Sequence, residues 1–129
     1  NVLKHIINTD RAPKAIGPYS QAIQNGKLLF ISGQLPIDIK TGELIKNDIA
    51  SATKKSLENM KAIIEEAGAK MTDIVKTTIF LKDINDFGIV NETYQSFFQS
   101  EPPARSCVEV SRLPKDADIE IEAIAYYGD

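Results

Sequence analysis

The sequence predicts an α/β protein of the α+β kind: a mixed sheet of about six strands with two helices packed on one face, in the order β-β-β-α-β-α-β-β. Three observations carry this. Two segments repeat apolar residues at three- and four-residue spacing, as helices with one buried face do. Six others are short, rich in β-branched and aromatic residues, and bounded by Gly, Pro, Asn or Asp. Finally, two helices of this size cover one face of such a sheet and not both, so they are expected on the same side.

The first strand is expected over Leu3–Ile7 and the second over Ser20–Gln24. Asn25-Gly26 is a two-residue hairpin signal leading into the third, Leu28–Ile37. That strand is apolar on both faces (Leu28 and Phe30; Leu29 and Ile31), as a strand buried on both sides should be. Gly33 inside it suggests a bulge or a close backbone approach. The first helix begins after Asp48, with Ile49, Ala52, Leu57, Met60, Ile63, Ile64 and Ala67 along one face. Gly68 then supplies the residue that a left-handed cap prefers.

Ile74–Leu81 is the fourth strand. Because it and Leu28–Ile37 flank a helix, a parallel pair joined by a right-handed crossover is expected. The second helix runs from about Asp86 to Phe98, capped by Asn85 or Asp86, with Phe87, Val90, Tyr94, Phe97 and Phe98 as its apolar face. Asn91 falls within that face. A buried amide needs partners, and the plain reading is a structural hydrogen bond to the sheet. The last strands, Arg105–Val110 and Ile119–Tyr126, are expected to form a hairpin through Pro114-Lys115-Asp116.

The length, 129 residues, suits one domain spanning 1–129. The formal net charge is −3, and the 15 Lys and Arg are scattered, with Lys54-Lys55 the only adjacent pair. Phosphate neutralisation needs concentrated cations, so this pattern argues against nucleic acid as a partner. One Cys and one His (His5) exclude zinc held by Cys and His ligands, and a lone thiol fits a reducing compartment. Apolar runs such as Leu28–Ile31 are far too short to span a bilayer, and NVLKHIINTD lacks the apolar core of a signal peptide. The cytoplasm is the expected location, and no metal or cofactor is expected.

The stretch PPARSCVEV, Pro102–Val110, raises the question of chemistry. Alternation puts Arg105, Cys107 and Glu109 on one face and Ser106, Val108 and Val110 on the other. Across the last two strands, Val108, Val110, Ile119, Ile121, Ala123 and Ala125 are grouped as the apolar face. Arg105, Cys107, Glu109, Glu120, Glu122, Ile124 and Tyr126 are grouped as the mixed one. The mixed face is either solvated or a subunit interface containing a polar pocket. The doubly apolar third strand favours self-association.

Arg105, held behind two prolines, offers a planar fork that matches a carboxylate; the alternative is a surface salt bridge to Glu109 or Glu122. Glu120 can accept a proton from water or sit in solvent. Cys107 has no nearby His to lower its pKa and is not read as a nucleophile, although its backbone can meet a ligand at a strand edge. AIGPYSQ presents Tyr19 after a Gly-Pro turn. In FISGQLP, Ser32 and Gln34 flank Gly33, and the absence of a second spaced Gly and of a following Lys rules out a phosphate loop.

AIGPYSQA, FISGQLP, EEAG, VKTTIFLKDINDF, VNETY and above all PPARSCVEVSRLPKDADIEIEAIA resemble the Rid family, the YjgF-like reactive-intermediate deaminases. The likeness covers nearly the whole chain. It is closest to the RidA subgroup, the 2-iminobutanoate/2-iminopropanoate deaminases, because both the ARSCVEV arginine and the IEIE glutamate are present. The resemblance implies a chorismate mutase-like fold and a homotrimer with pockets at the subunit interfaces. It implies hydrolysis of 2-imino acids to 2-keto acids and ammonia without a cofactor. Arg105 would grip the carboxylate, the Cys107 backbone would touch substrate, and Glu120 would position or activate water. Tyr19, Ser32, Gly33, Phe87 and Asn91 would line the pocket, with walls from two chains. Two rivals stand beside this: a non-catalytic carboxylate-binding regulatory module, and a ribonuclease or translation inhibitor, against which the acidic balance and the lack of a His pair argue.

Overall fold

The computed structural model describes residues 3–128. Among them the strands are β1 (His5–Ile7), β2 (Ala22–Asn25), β3 (Leu28–Gln34), β4 (Ile74–Leu81), β5 (Ala104–Glu109) and β6 (Ile119–Tyr126). The helices are α1 (Ile49–Glu66) and α2 (Phe87–Gln95). The element order is the one the sequence predicts. Strand ends differ modestly: β1 and β2 begin two residues later than expected, at His5 and Ala22. β3 stops at Gln34, just before Pro36, which has no N–H for a ladder, and Ile37 forms a separate bridge with Leu44.

Local chemistry explains both helices. Asp48 caps α1, its Oδ1 accepting the Ser51 N–H at 3.1 Å. Gly68 ends it at φ +83, a conformation only glycine adopts cheaply, and its N–H donates to the Glu65 carbonyl at 3.0 Å. At α2 the expected cap is corrected. Asp86 already has helical backbone angles and makes no side-chain cap. Asp83 caps instead, accepting the Asn85 N–H at 2.9 Å at the start of a 3-10 turn over Ile84–Asp86. The helix ends at Gln95 because its last turn tightens: Phe97 and Phe98 donate to the carbonyls of Tyr94 and Gln95, three residues back.

The sheet runs in the order β1-β2-β3-β6-β4-β5. Two expected pairings are thereby corrected. β3 and β4 are not neighbours, because β6 lies between them, antiparallel to both. β5 and β6 form no hairpin, because β5 pairs in parallel with β4 at the sheet's far edge. The chain therefore leaves the edge after β5, passes through the Pro114–Asp116 turn and inserts its last strand into the middle of the sheet. The β2–β3 hairpin forms as expected, with Gly26 (φ +61) and Lys27 in the turn and Asn25 already paired with Leu28.

Register decides which side chains share a face. Thr77 of β4 lies opposite both Arg105 and Ala123, Ile79 opposite both Cys107 and Ile121, and Leu81 opposite both Glu109 and Ile119. These residues face the helices. Phe80 lies opposite Val108 and Glu120, and Thr78 opposite Ser106 and Glu122, and these occupy the uncovered face. The grouping of Arg105 and Cys107 with Glu120 is thus overturned: one sheet separates them.

The core lies between the sheet and the two helices. Leu29, Ile79, Leu81, Ile119, Ile121 and Ala125 are fully buried beneath Leu57, Met60, Ile63 and Ile64 of α1 and Val90 of α2. The opposite face keeps large apolar groups in view, with Phe30 43% and Tyr126 54% exposed. Ile121→Ala, at the core's centre, is expected to cost about 2–5 kcal/mol in chemical denaturation, and a loss well under that range would contradict this packing.

Candidate active site

The predicted site residues fall into two clusters. On the helix side, the Arg105 guanidinium carbon lies 4.9 Å from the centre of the Tyr94 ring and 5.4 Å from that of Phe87. Both rings project from α2, and Tyr94 is fixed by a 2.7 Å hydrogen bond between its hydroxyl and Thr77 Oγ1. The cation is thus held by aromatic faces. Among the described residues it makes no ion pair with Glu109 or Glu122, the alternative left open by the sequence. Glu109 instead accepts the Ile84 N–H at 2.9 Å, tying the edge strand to the turn before α2.

Cys107 lies one pleat further along the same face. Burial pushes its thiol up, against the opposing effect of Arg105, which disfavours the thiolate that a nucleophile needs. Its backbone is more informative. Val110 N–H donates to the Leu81 carbonyl at 2.8 Å. Strand alternation therefore turns the N–H and C=O of Arg105, Cys107 and Glu109 away from β4, toward the free edge. Asn91, one turn after Phe87, has a buried Oδ1 with no hydrogen-bond partner among the described residues. The expected structural bond to the sheet is not made by this oxygen.

On the other side a cleft of about 730 Å³ is lined by Tyr19, Ser32, Gly33 and Glu120, with Glu122, Lys14 and Lys115 at its border. Three devices shape it. Ser32 Oγ donates to the Ser20 carbonyl at 2.7 Å, locking the Tyr19 loop to β3. The buried Gln21 side chain ties Thr9 and Pro13 together, accepting the Thr9 N–H and donating to the Pro13 carbonyl, both at 2.8 Å. Asn59 of α1 donates to the carbonyls of Leu35 and Ile37, at 3.1 and 3.0 Å, and holds the apolar wall. Burial, and then the charge of Glu122, raise the Glu120 pKa above the ordinary glutamate value. A half-buried carboxyl of this kind exchanges protons closer to neutrality than an exposed one does.

A family model described as Endoribonuclease L-PSP matches residues 9–127. The chain belongs to this family. A RutC family protein of Pyrococcus abyssi is 58% identical over 123 residues, covering 95% of this chain and 97% of that one. The 2-iminobutanoate/2-iminopropanoate deaminase of Escherichia coli is 57% identical over 122 residues, covering 92% and 94%. The solved structure of E. coli TdcF with bound serine superposes with a TM-score of 0.92 at 50% identity, covering 96% of this chain and 99% of that one.

Of the residues picked out from the sequence of this L-PSP family member, the structure puts Arg105, Cys107, Phe87 and Asn91 on one side of the sheet and Tyr19, Ser32, Gly33 and Glu120 on the other. Sequence reasoning read Tyr94 only as core. The signal was available: Tyr94 lies seven residues, or two turns, from Phe87 and so shares its face. Gln21, in the AIGPYSQ motif, was also passed over as the organiser of the Thr9–Pro13 segment.

The raised Glu120 pKa has a sign that can be checked. A carboxyl whose folded value exceeds its unfolded one supports folding fully below the unfolded value. That contribution is lost as pH rises through the folded value. Glu120→Gln is therefore expected to raise Tm at neutral pH, with the gain vanishing below about pH 4. An equal gain at both pH values in thermal melts would contradict the assignment.

Proposed function

We propose that this chain is an imine deaminase that hydrolyses 2-imino acids such as 2-iminobutanoate and 2-iminopropanoate to 2-keto acids and ammonia. The carrying observation is Arg105. Its guanidinium is oriented by two aromatic faces, has no carboxylate partner among the described residues, and stands beside outward-turned backbone donors at a free strand edge. That is the arrangement a substrate carboxylate calls for. The deaminase name borne by an E. coli relative with 57% identity supports the same reading.

In the proposed mechanism Arg105 binds the carboxylate, helped by the Cys107 N–H, and Glu120 takes a proton from water as its oxygen attacks the C=N carbon. The proton passes to nitrogen. The carbinolamine then expels ammonia, and its hydroxyl becomes the keto oxygen. Free imines already react with water, so the demand on the protein is modest: a hundredfold acceleration corresponds to about 2.7 kcal/mol. General acid–base help typically supplies ~10²–10⁴, and hydrogen bonds to a charged group about 1.5–3 kcal/mol each. A clamp and one positioned water therefore suffice, without metal or cofactor.

Because one sheet separates Arg105 from Glu120, we infer that a complete site takes them from two chains. The Tyr19 loop and Glu120 of one chain would face Arg105, Phe87 and Asn91 of another. The exposed Leu28, Phe30, Val108 and Tyr126 on the uncovered face supply an apolar surface for that association. Closure as a homotrimer follows the family resemblance, as does a cytoplasmic role in removing reactive imines. No helix of the described residues is long and apolar enough to cross a membrane.

The serine-bound relative favours a second reading, a carboxylate-binding module without catalysis. A ribonuclease is disfavoured, since the one histidine, His5, lies on β1 and does not line the cleft. A coupled assay, in which threonine dehydratase generates 2-iminobutanoate, separates the first two. Arg105→Ala is expected to remove the rate enhancement, at least about a hundredfold in kcat/KM. Wild-type rates in that variant would refute the site, and saturable 2-ketobutanoate binding with no enhancement in wild type would establish the binding module.

A further inference from the structure

Gly33 occupies the bulge in β3, where the register slips between Ile31, opposite Ala123, and Gln34, opposite Ile121. Its φ is not in the left-handed region, which only Gly26, Gly42, Gly68 and Gly128 occupy among the described glycines. The backbone therefore does not demand glycine here. Space does. A Cβ at this position would stand 2.6 Å from Glu120 Oε2, 2.7 Å from its Cδ and 2.9 Å from its Cγ. All three are closer than non-bonded atoms approach, and all belong to one side chain. Glu120 thus lies directly across the bare Cα of Gly33.

We propose that Gly33 is a positioning residue for imine hydrolysis: its missing side chain leaves the seat that holds the Glu120 carboxylate in the cleft. The inference rests on the water-handling role given to Glu120 above. β3 has little freedom to retreat, because Ser32 is fastened twice to the segment just before β2. Its N–H donates to the Gln21 carbonyl at 3.0 Å and its Oγ to the Ser20 carbonyl. The Glu120 side chain has torsional freedom. A methyl group at Gly33 therefore displaces the carboxylate rather than the strand, and the protein still folds. Misplacement by about 1 Å is enough to cost on the order of 10²-fold in rate.

The other charged or titratable groups bordering the cleft are Glu122 on the same strand, Asp10, Lys14 and Tyr19 before β2, and Lys115 before β6. Gly33→Ala alters none of them, so a change in the pH profile reports on Glu120. The coupled 2-iminobutanoate assay is run across pH on wild type, Gly33→Ala, Glu120→Gln and the double variant. Gly33→Ala is expected to lower kcat about 10–100-fold with KM near wild type. Its acid limb should move to lower pH, as a carboxylate swung into solvent titrates more normally. It should add nothing to the loss caused by Glu120→Gln. In thermal melts, any cost of Gly33→Ala should disappear in a Glu120→Ala background, where the overlapping atoms are gone.

If Glu120→Gln is impaired while Gly33→Ala keeps wild-type kcat and acid limb, the positioning role is overturned and the water-handling role stands. If Glu120→Gln itself keeps wild-type kcat, both roles fall together. A stability cost of Gly33→Ala that is equal in the wild-type and Glu120→Ala backgrounds would also overturn the inference, since Gly33 would then serve something other than Glu120.

Discussion

The position of β6 between β3 and β4 governs the rest of the structure. A β-strand sends alternate side chains to opposite faces, so fixing one register fixes every neighbour. With Thr77 opposite both Ala123 and Arg105, the even-numbered residues of β6 face away from the helices while Arg105 faces toward them. The same insertion buries Ile119, Ile121, Ala123 and Ala125 in the core and leaves Glu120 and Glu122 bordering the cleft. Core and chemistry thus share one strand by parity.

Each half of the site is held by a different physical device. Arg105 is restrained by aromatic faces, and Tyr94 is itself restrained through Thr77, so the cation is oriented without neutralising it. Glu120 is seated in the space above Gly33 and half-shielded by burial, which raises its pKa. One half keeps its charge available for a carboxylate. The other keeps a carboxyl whose pKa burial raises above the ordinary glutamate value. Neither half completes the proposed chemistry alone.

The sequence made the elements legible because each carries its own local signal. The α1 face and its Gly68 cap, the Gly26 turn and the length of β4 are read within short windows. Beyond the β2–β3 hairpin, strand neighbours were not legible, since pairing is decided by contacts between distant segments. The grouping of faces failed for a specific reason. Counting apolar residues placed Val108 inward and Arg105 outward, but β5 is an edge strand whose covered side is lined by the rings of Phe87 and Tyr94. Those rings accept a guanidinium, so the polar set of β5 faces the helices and Val108 is left exposed. The site residues themselves were found largely through motif resemblance, which names positions without saying which share a face.

The proposal that a working site joins Arg105 of one chain to Glu120 of another is tested most directly by subunit mixing. Arg105→Ala and Glu120→Gln chains, each inactive alone, are unfolded together, reassembled and assayed for 2-iminobutanoate hydrolysis. Shared sites predict that the mixed assemblies regain a measurable fraction of wild-type activity, because some interfaces pair an intact Arg105 with an intact Glu120. Mixed assemblies that form, as shown by a tag on one variant, yet stay as inactive as either parent would contradict the account.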